Sequence, residues 1–219
     1  MKEKFIPPYN YCNYRCEKCP DLRDCTVVAK EVVREAELVV QGKDPEDQKV
    51  IFEQVKHVFE ETIELLHKIA AEEEISLDGD LQDYSPPAPE AFLLVQLAHQ
   101  FNKNISSILE EDIPVAIDNQ TRFREQITDL AWDANLIPAK LYRALTGKWE
   151  AERETDNLMK EVGREDSLRS AEVASKALNN CLDILGEVSK VVLDGREKVS
   201  QLIDLGKNLK THLYEEFHT

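Results

Sequence analysis

The chain has 219 residues, 42% of them hydrophobic and 32% charged, with seven glycines and a formal net charge of −16. Such a length can bury a sizeable core, and the scarcity of glycine, with no stretch of alternating β-branched residues, argues against an extensive sheet. The acidic balance, unrelieved by any basic patch, argues against nucleic acid and against an anionic membrane surface as partners.

Four of the five cysteines fall in the first 25 residues: Cys12, Cys16, Cys19 and Cys25, spaced C-x3-C-x2-C-x5-C. Prolines (Pro7, Pro8, Pro20) and aromatics (Tyr9, Tyr11, Tyr14) surround them, so an irregular arm is expected over residues 1–25, followed by a helical bundle domain over 26–219. The arm is almost neutral, because Lys2, Lys4, Arg15, Lys18 and Arg23 offset Glu3, Glu17, Asp21 and Asp24. The acidity therefore resides in the body. Met1 to Pro8 lacks the apolar stretch of a secretory signal, and no run approaches the roughly 20 apolar residues of a membrane span. Clustered thiols suit a reducing compartment, and a cytoplasmic location is expected.

The first helix is predicted from Asp24 to Gln41, with Val28, Val32 and Val39 on its inner face and Gly42 as its stop. Asp44-Pro45 opens a second, whose ladder Ile51, Val55, Val58, Thr62, Leu65, Ile69 steps by four and three like a bundle seam. A linker is expected from Ser76 to Ala88. A third helix, Pro89 to Glu110, carries the stripe Leu94, Leu97, Phe101, Ile105, Ile108. A fourth runs from Asp118 to Gly147 on the ladder Phe123, Ile127, Leu130, Ala134, Ile137, Leu141, Ala144, with a kink expected at Pro138. Lys148 to Asp166, charged and without apolar period, reads as a solvated loop or frayed helix. The last 50 residues carry Leu178, Cys181, Leu185, Val188, Val192, then Val199, Leu202, Leu209, Leu213. Unbroken, they would span roughly 70 Å. Gly195, with Asp194 and Glu197 placed as a capping box, predicts two antiparallel helices instead. The fold class expected is all-α, with about six helices in a mostly antiparallel bundle beside the cysteine-rich arm.

Thiolates at short spacing suit a soft metal centre, because little loop-closure entropy opposes their convergence. Cys12, Cys16, Cys19 and Cys25 are accordingly the expected ligands of either a [4Fe-4S] cluster or Zn2+. Four thiolates would leave two net negative charges on either centre, which Arg15, Lys18 and Arg23 could offset. Cys25 is expected at a helix N-terminus, which favours a thiolate. C-x3-C-x2-C also matches the cluster motif of radical S-adenosylmethionine enzymes, yet Cys25 supplies a fourth ligand and no α/β scaffold follows. Cys181 lies on the core ladder and reads as a buried small hydrophobe.

Two groups of residues offer catalytic alternatives. Glu64 and His67 have the Glu-x-x-His spacing of di-iron bundles, with His57, Glu60 and Glu61 nearby and a second copy at Glu215 and His218. They flank the seam and read as a solvated charged face. Trp132, Asp133, Lys140, Tyr142 and Arg143 cluster on the fourth helix, and read as a packing tryptophan beside surface ion pairs. His99 reads as a boundary residue. The expected role is thus a non-catalytic metal-binding protein, its site structural or electron-carrying. The alternatives are an enzyme with a polar or di-metal site inside the bundle, and an acidic protein-interaction module. A protein partner or a homo-oligomer through the bundle faces is the contact expected.

Tyr11-Cys12-x-x-x-Cys16-Glu17-x-Cys19-Pro20-x-x-x-x-Cys25, together with Ile137-x-x-Lys140-x-x-Arg143-Ala144-Leu145, resembles an uncharacterised bacterial all-helical protein family with this N-terminal cysteine run. The resemblance implies a metal site on a helical body. It implies no activity.

Overall fold

A computed structural model describes residues 12–19, 22–72, 85–111, 121–191 and 196–218. Among these the fold is all-α: six helices and three short 3-10 turns, with no strand. The helices are α1 (Thr26–Val40), α2 (Gln48–Glu72), α3 (Leu93–Glu111), α4 (Thr121–Arg153), α5 (Asn157–Val191) and α6 (Arg196–His218). None of the described helices is long and apolar enough to cross a membrane. The chain divides into two compact units, one of residues 1–13 and 86–219, the other of residues 14–85.

The larger unit is a four-helix bundle in which α4 packs on α3 and α5, and α6 packs on α5 and α3. Its core is the set of ladders legible in the sequence: Phe101 and Ile105 from α3, Ile137 and Leu141 from α4, Leu178 and Leu185 from α5, Leu202 and Leu209 from α6. Cross-helix contacts run in opposite directions along each neighbouring pair. Asn102 donates to Asn135 while Phe92 meets the Tyr142 ring edge-on, and Asn180 bonds Asp133 while Gly163 meets Gly147. The bundle is therefore antiparallel. Cys181 is fully buried in it, as its place on the ladder predicts.

The segment read as a loop, Lys148 to Asp166, is helical. α4 continues to Arg153 and α5 begins at Asn157. Only Glu154, Thr155 and Asp156 connect them. The Glu154 carboxylate accepts from the Thr155 and Asp156 amides, and Asp156 Oδ1 accepts from Leu158 and Met159 at 2.9 Å, capping α5. Large apolar residues are absent from this seam because the helices touch through small ones. An added Cβ at Gly147 would meet the Gly163 carbonyl at 3.4 Å, Ala151 is buried, and Ser167 Oγ donates to the Ala144 carbonyl at 2.7 Å. A periodicity scan weighted toward leucine and valine passes over such a seam. As expected, Pro138 lies inside α4; its ring is buried and its nitrogen has no hydrogen to donate to the Ala134 carbonyl.

In the smaller unit, α1 and α2 form within two residues and four residues of the predicted starts. Asp47, rather than Asp44, caps α2 by accepting from the Lys49 amide at 2.8 Å, while Asp44 Oδ1 accepts from Glu46 and shapes the preceding turn. Gly42 takes a positive φ of 74° and closes α1 as expected. The burial differs from expectation. Val32 and Val39, predicted to face inward, are exposed, and Leu38 is the one buried residue of α1. The α2 seam is likewise exposed except at half-buried Val58, and Ala70, off that ladder, is the one buried residue of α2. The expected 76–88 linker lies outside the described residues up to position 84, as does Asp194 of the expected capping box.

Candidate metal centre

The cysteine segment is built from two tight turns. The Cys19 amide donates to the Cys16 carbonyl at 3.2 Å, closing the 3-10 turn Cys16–Lys18, and the Lys18 amide donates to Arg15 at 3.0 Å. Residues three apart across such a turn lie within about 7 Å at Cα. Cys16 and Cys19 thus stand at the two ends of one turn, the arrangement a chelating pair needs. Tyr14 enters the segment with φ of 59°, in the left-handed region uncommon for a residue with a Cβ. A second 3-10 turn, Leu22–Asp24, delivers Cys25 to the N-cap of α1. There its carbonyl accepts from Ala29 at 3.0 Å, while its side chain makes no capping bond. The thiol is left beside the positive end of the helix dipole, as the sequence reading expects.

None of the five cysteines is in a disulfide; Cys16 is exposed, and Cys12, Cys19 and Cys25 are half-buried. Among the described residues no three histidine, cysteine or carboxylate side chains are gathered as a metal ion would hold them. The backbone places Cys16 and Cys19 at the two ends of one turn and Cys25 at a helix N-terminus. Of the basic residues expected to offset thiolate charge, Arg15 is ion-paired with Glu17, and the guanidinium holds that carboxyl below its usual range.

Cys12 belongs to the larger unit. Its neighbour Asn13 offers a carbonyl to the Trp132 indole N–H at 2.9 Å. Trp132 is thus a surface anchor for the chain beside Cys12, being 42% exposed, and not a packing tryptophan. Asp133 and Lys140, read from sequence as surface ion pairs, are buried. Asp133 accepts from Asn180 Nδ2 at 2.5 Å, and burial pushes the Lys140 ammonium below its ordinary lysine value, partly countered by nearby Cys12. Local periodicity does not advertise this, because Asp133 meets Asn180 of α5 and Lys140 lies near Cys12, neighbours remote in sequence. Arg143, by contrast, is on the surface, paired with Asp166 at 2.9 Å.

Glu64 and His67 are exposed on α2, and His57 lies 3.4 Å from Glu61 one turn on. They form the solvated charged face that the sequence suggests. His212 pairs with Glu215, and the His218 side chain lies outside the described residues. His99 is exposed on α3. No protein-family model, curated protein or solved structure matches this chain.

Proposed function

We propose that this is a metal-binding helical protein of the reducing cytoplasm, in which Cys12, Cys16, Cys19 and Cys25 hold a [4Fe-4S] cluster or Zn2+ in a structural or electron-carrying role. The observation that carries this reading is the closed Cys16–Cys19 turn with Cys25 at the N-cap of α1 a few residues on. Loop entropy favours their convergence, and a soft ion rewards it with thiolate bonds. Binding at such sites is coupled to local folding, so the metal itself would contribute to ordering the segment that holds it. Thiolate formation releases protons, which makes the affinity fall as pH is lowered.

Anaerobic purification followed by absorption spectroscopy and elemental analysis tests this. Broad visible absorbance with about four irons per chain identifies the cluster, and a colourless protein with about one zinc identifies the ion. Serine at Cys16 or Cys19 is expected to abolish either. A chain that binds neither metal with all thiols reduced overturns the proposal.

A further inference from the structure

The two helices of the smaller unit lack a core of their own. Eight large apolar side chains on α2 are between 44% and 66% exposed. At 100° per residue, the arc from Leu65 through Ile51, Val55 and Phe59 to Ile63 covers roughly 160° of the helix. An arc that wide serves two neighbours. α1 covers part of it and stands off, leaving grooves of about 780 and 370 Å³ that share Arg34, Leu38 and Gln54. A 25-residue helix in water is held chiefly by packing of its apolar face rather than by propensity.

We infer that the α1–α2 hairpin is a self-association surface: α2 of one copy packs antiparallel on α2 of a second, and the two α1 helices flank them in an intermolecular four-helix bundle. Three features of α2 select a second copy of this chain. The seam is symmetric about position 60, so an antiparallel two-fold sets Ile51 against Ile69, Val55 against Leu65 and Val58 against Thr62. Its charge is lopsided. Lys49 and Lys56 outnumber Glu53 in the first half, whereas Glu60, Glu61, Glu64 and Glu72 outnumber Lys68 in the second. Antiparallel pairing lays the basic half on the acidic half, and parallel pairing would stack the acidic halves. The exposed apolar surface on α2 is on the order of 800 Å² per copy, the size of a standard protein interface.

Sedimentation velocity and light scattering on the full chain test the inference. The 25.1 kDa chain is expected to run as a dimer at micromolar concentration. Phe59→Glu and Leu66→Glu should each raise the dissociation constant by roughly thirtyfold or more. Circular dichroism must show the bundle of α3 to α6 still folded in these variants. Lys49→Glu/Lys56→Glu should weaken the homodimer, and mixing it with Glu60→Lys/Glu61→Lys/Glu64→Lys should restore association between the two chains. A wild-type monomer at high concentration overturns the inference, including the case in which α2 is protected from hydrogen exchange by its own chain. A dimer indifferent to the α2 substitutions overturns it as well.

Discussion

Alanine at Gly206 sets two magnitudes against each other. Mid-helix glycine gives up about 1 kcal/mol relative to alanine, so the substitution would stabilise α6 if nothing opposed it. A Cβ there would stand 2.7 Å from Leu182 Cδ2 and 2.9 Å from Phe101 Cε2. The leucine methyl can rotate aside. The Phe101 ring is fully buried, and moving it displaces its own packing on the core. Overpacking of this kind costs about 1–3 kcal/mol, so the net effect is a loss of about 1 kcal/mol. Gly186 on α5 is the internal control. Nothing lies within 4 Å of a Cβ added there, and alanine should stabilise by about 0.5–1 kcal/mol. Urea unfolding followed by circular dichroism should move the two midpoints in opposite directions, with thermal shifts of about 2–4 °C per kcal/mol. Phe101→Leu combined with Gly206→Ala should cost less than the sum of the two alone, because the smaller side chain admits the methyl. If Gly206→Ala stabilised as much as Gly186→Ala, the close approach of α6 to α3 and α5 would be wrong.

Ser167→Ala removes the 2.7 Å bond to the Ala144 carbonyl within the tight α4–α5 seam and should cost about 1 kcal/mol in urea unfolding. An unchanged midpoint would count against that bond. Lys140 deprotonates in the folded chain before it does in the unfolded one, whose lysine titrates near 10.5. The unfolded state therefore holds more protons between those two values, and wild-type stability should rise across that window relative to Lys140→Met. A difference between the two that stays constant with pH would refute the burial of the charge. Cys181 is fully buried and its thiol is pushed well above the usual cysteine range by desolvation. In metal-free protein an aromatic disulfide reagent should react with Cys12, Cys16, Cys19 and Cys25 quickly and with Cys181 only at the rate of unfolding. Fast reaction of all five thiols would contradict that burial.

The parts of the fold that could be read from sequence are those whose packing uses large side chains. Phe101, Ile105, Leu178, Leu185, Leu202 and Leu209 all lie on predicted stripes and all are buried. Where the contact is made by Gly147, Ala151, Gly163 and Ser167, the same scan sees only a charged stretch, because backbone approach replaces side-chain volume. α1 and α2 show a third situation. Their periodicity predicts helices correctly, but periodicity records which face is apolar and not what covers it, so Val32 and Val39 lie on a predicted inner face and are exposed. The burial of Asp133 and Lys140 was equally hidden, since each depends on what the neighbouring helix or the chain near Cys12 brings to it. In the cysteine segment, residue type and spacing are explicit, and Cys25 stands at the start of α1 as the sequence predicts. Mutual placement of the thiols is a property of the folded chain that spacing alone does not specify.

The connection at Glu154–Asp156 also bears on how the chain reaches its native state. Contacts between α4 and α5 fan outward from that point, with Ala151 opposite Gly163, then Ala144 opposite Ser167, then Asp133 opposite Asn180. Each successive contact closes a loop only modestly longer than the one before, so the entropic barrier climbs in small steps. This hairpin can zip from its tip without help from distant segments and then offer a ready surface to α3 and α6. Substitutions near the tip should therefore slow refolding, while those at its open end should mainly hasten unfolding.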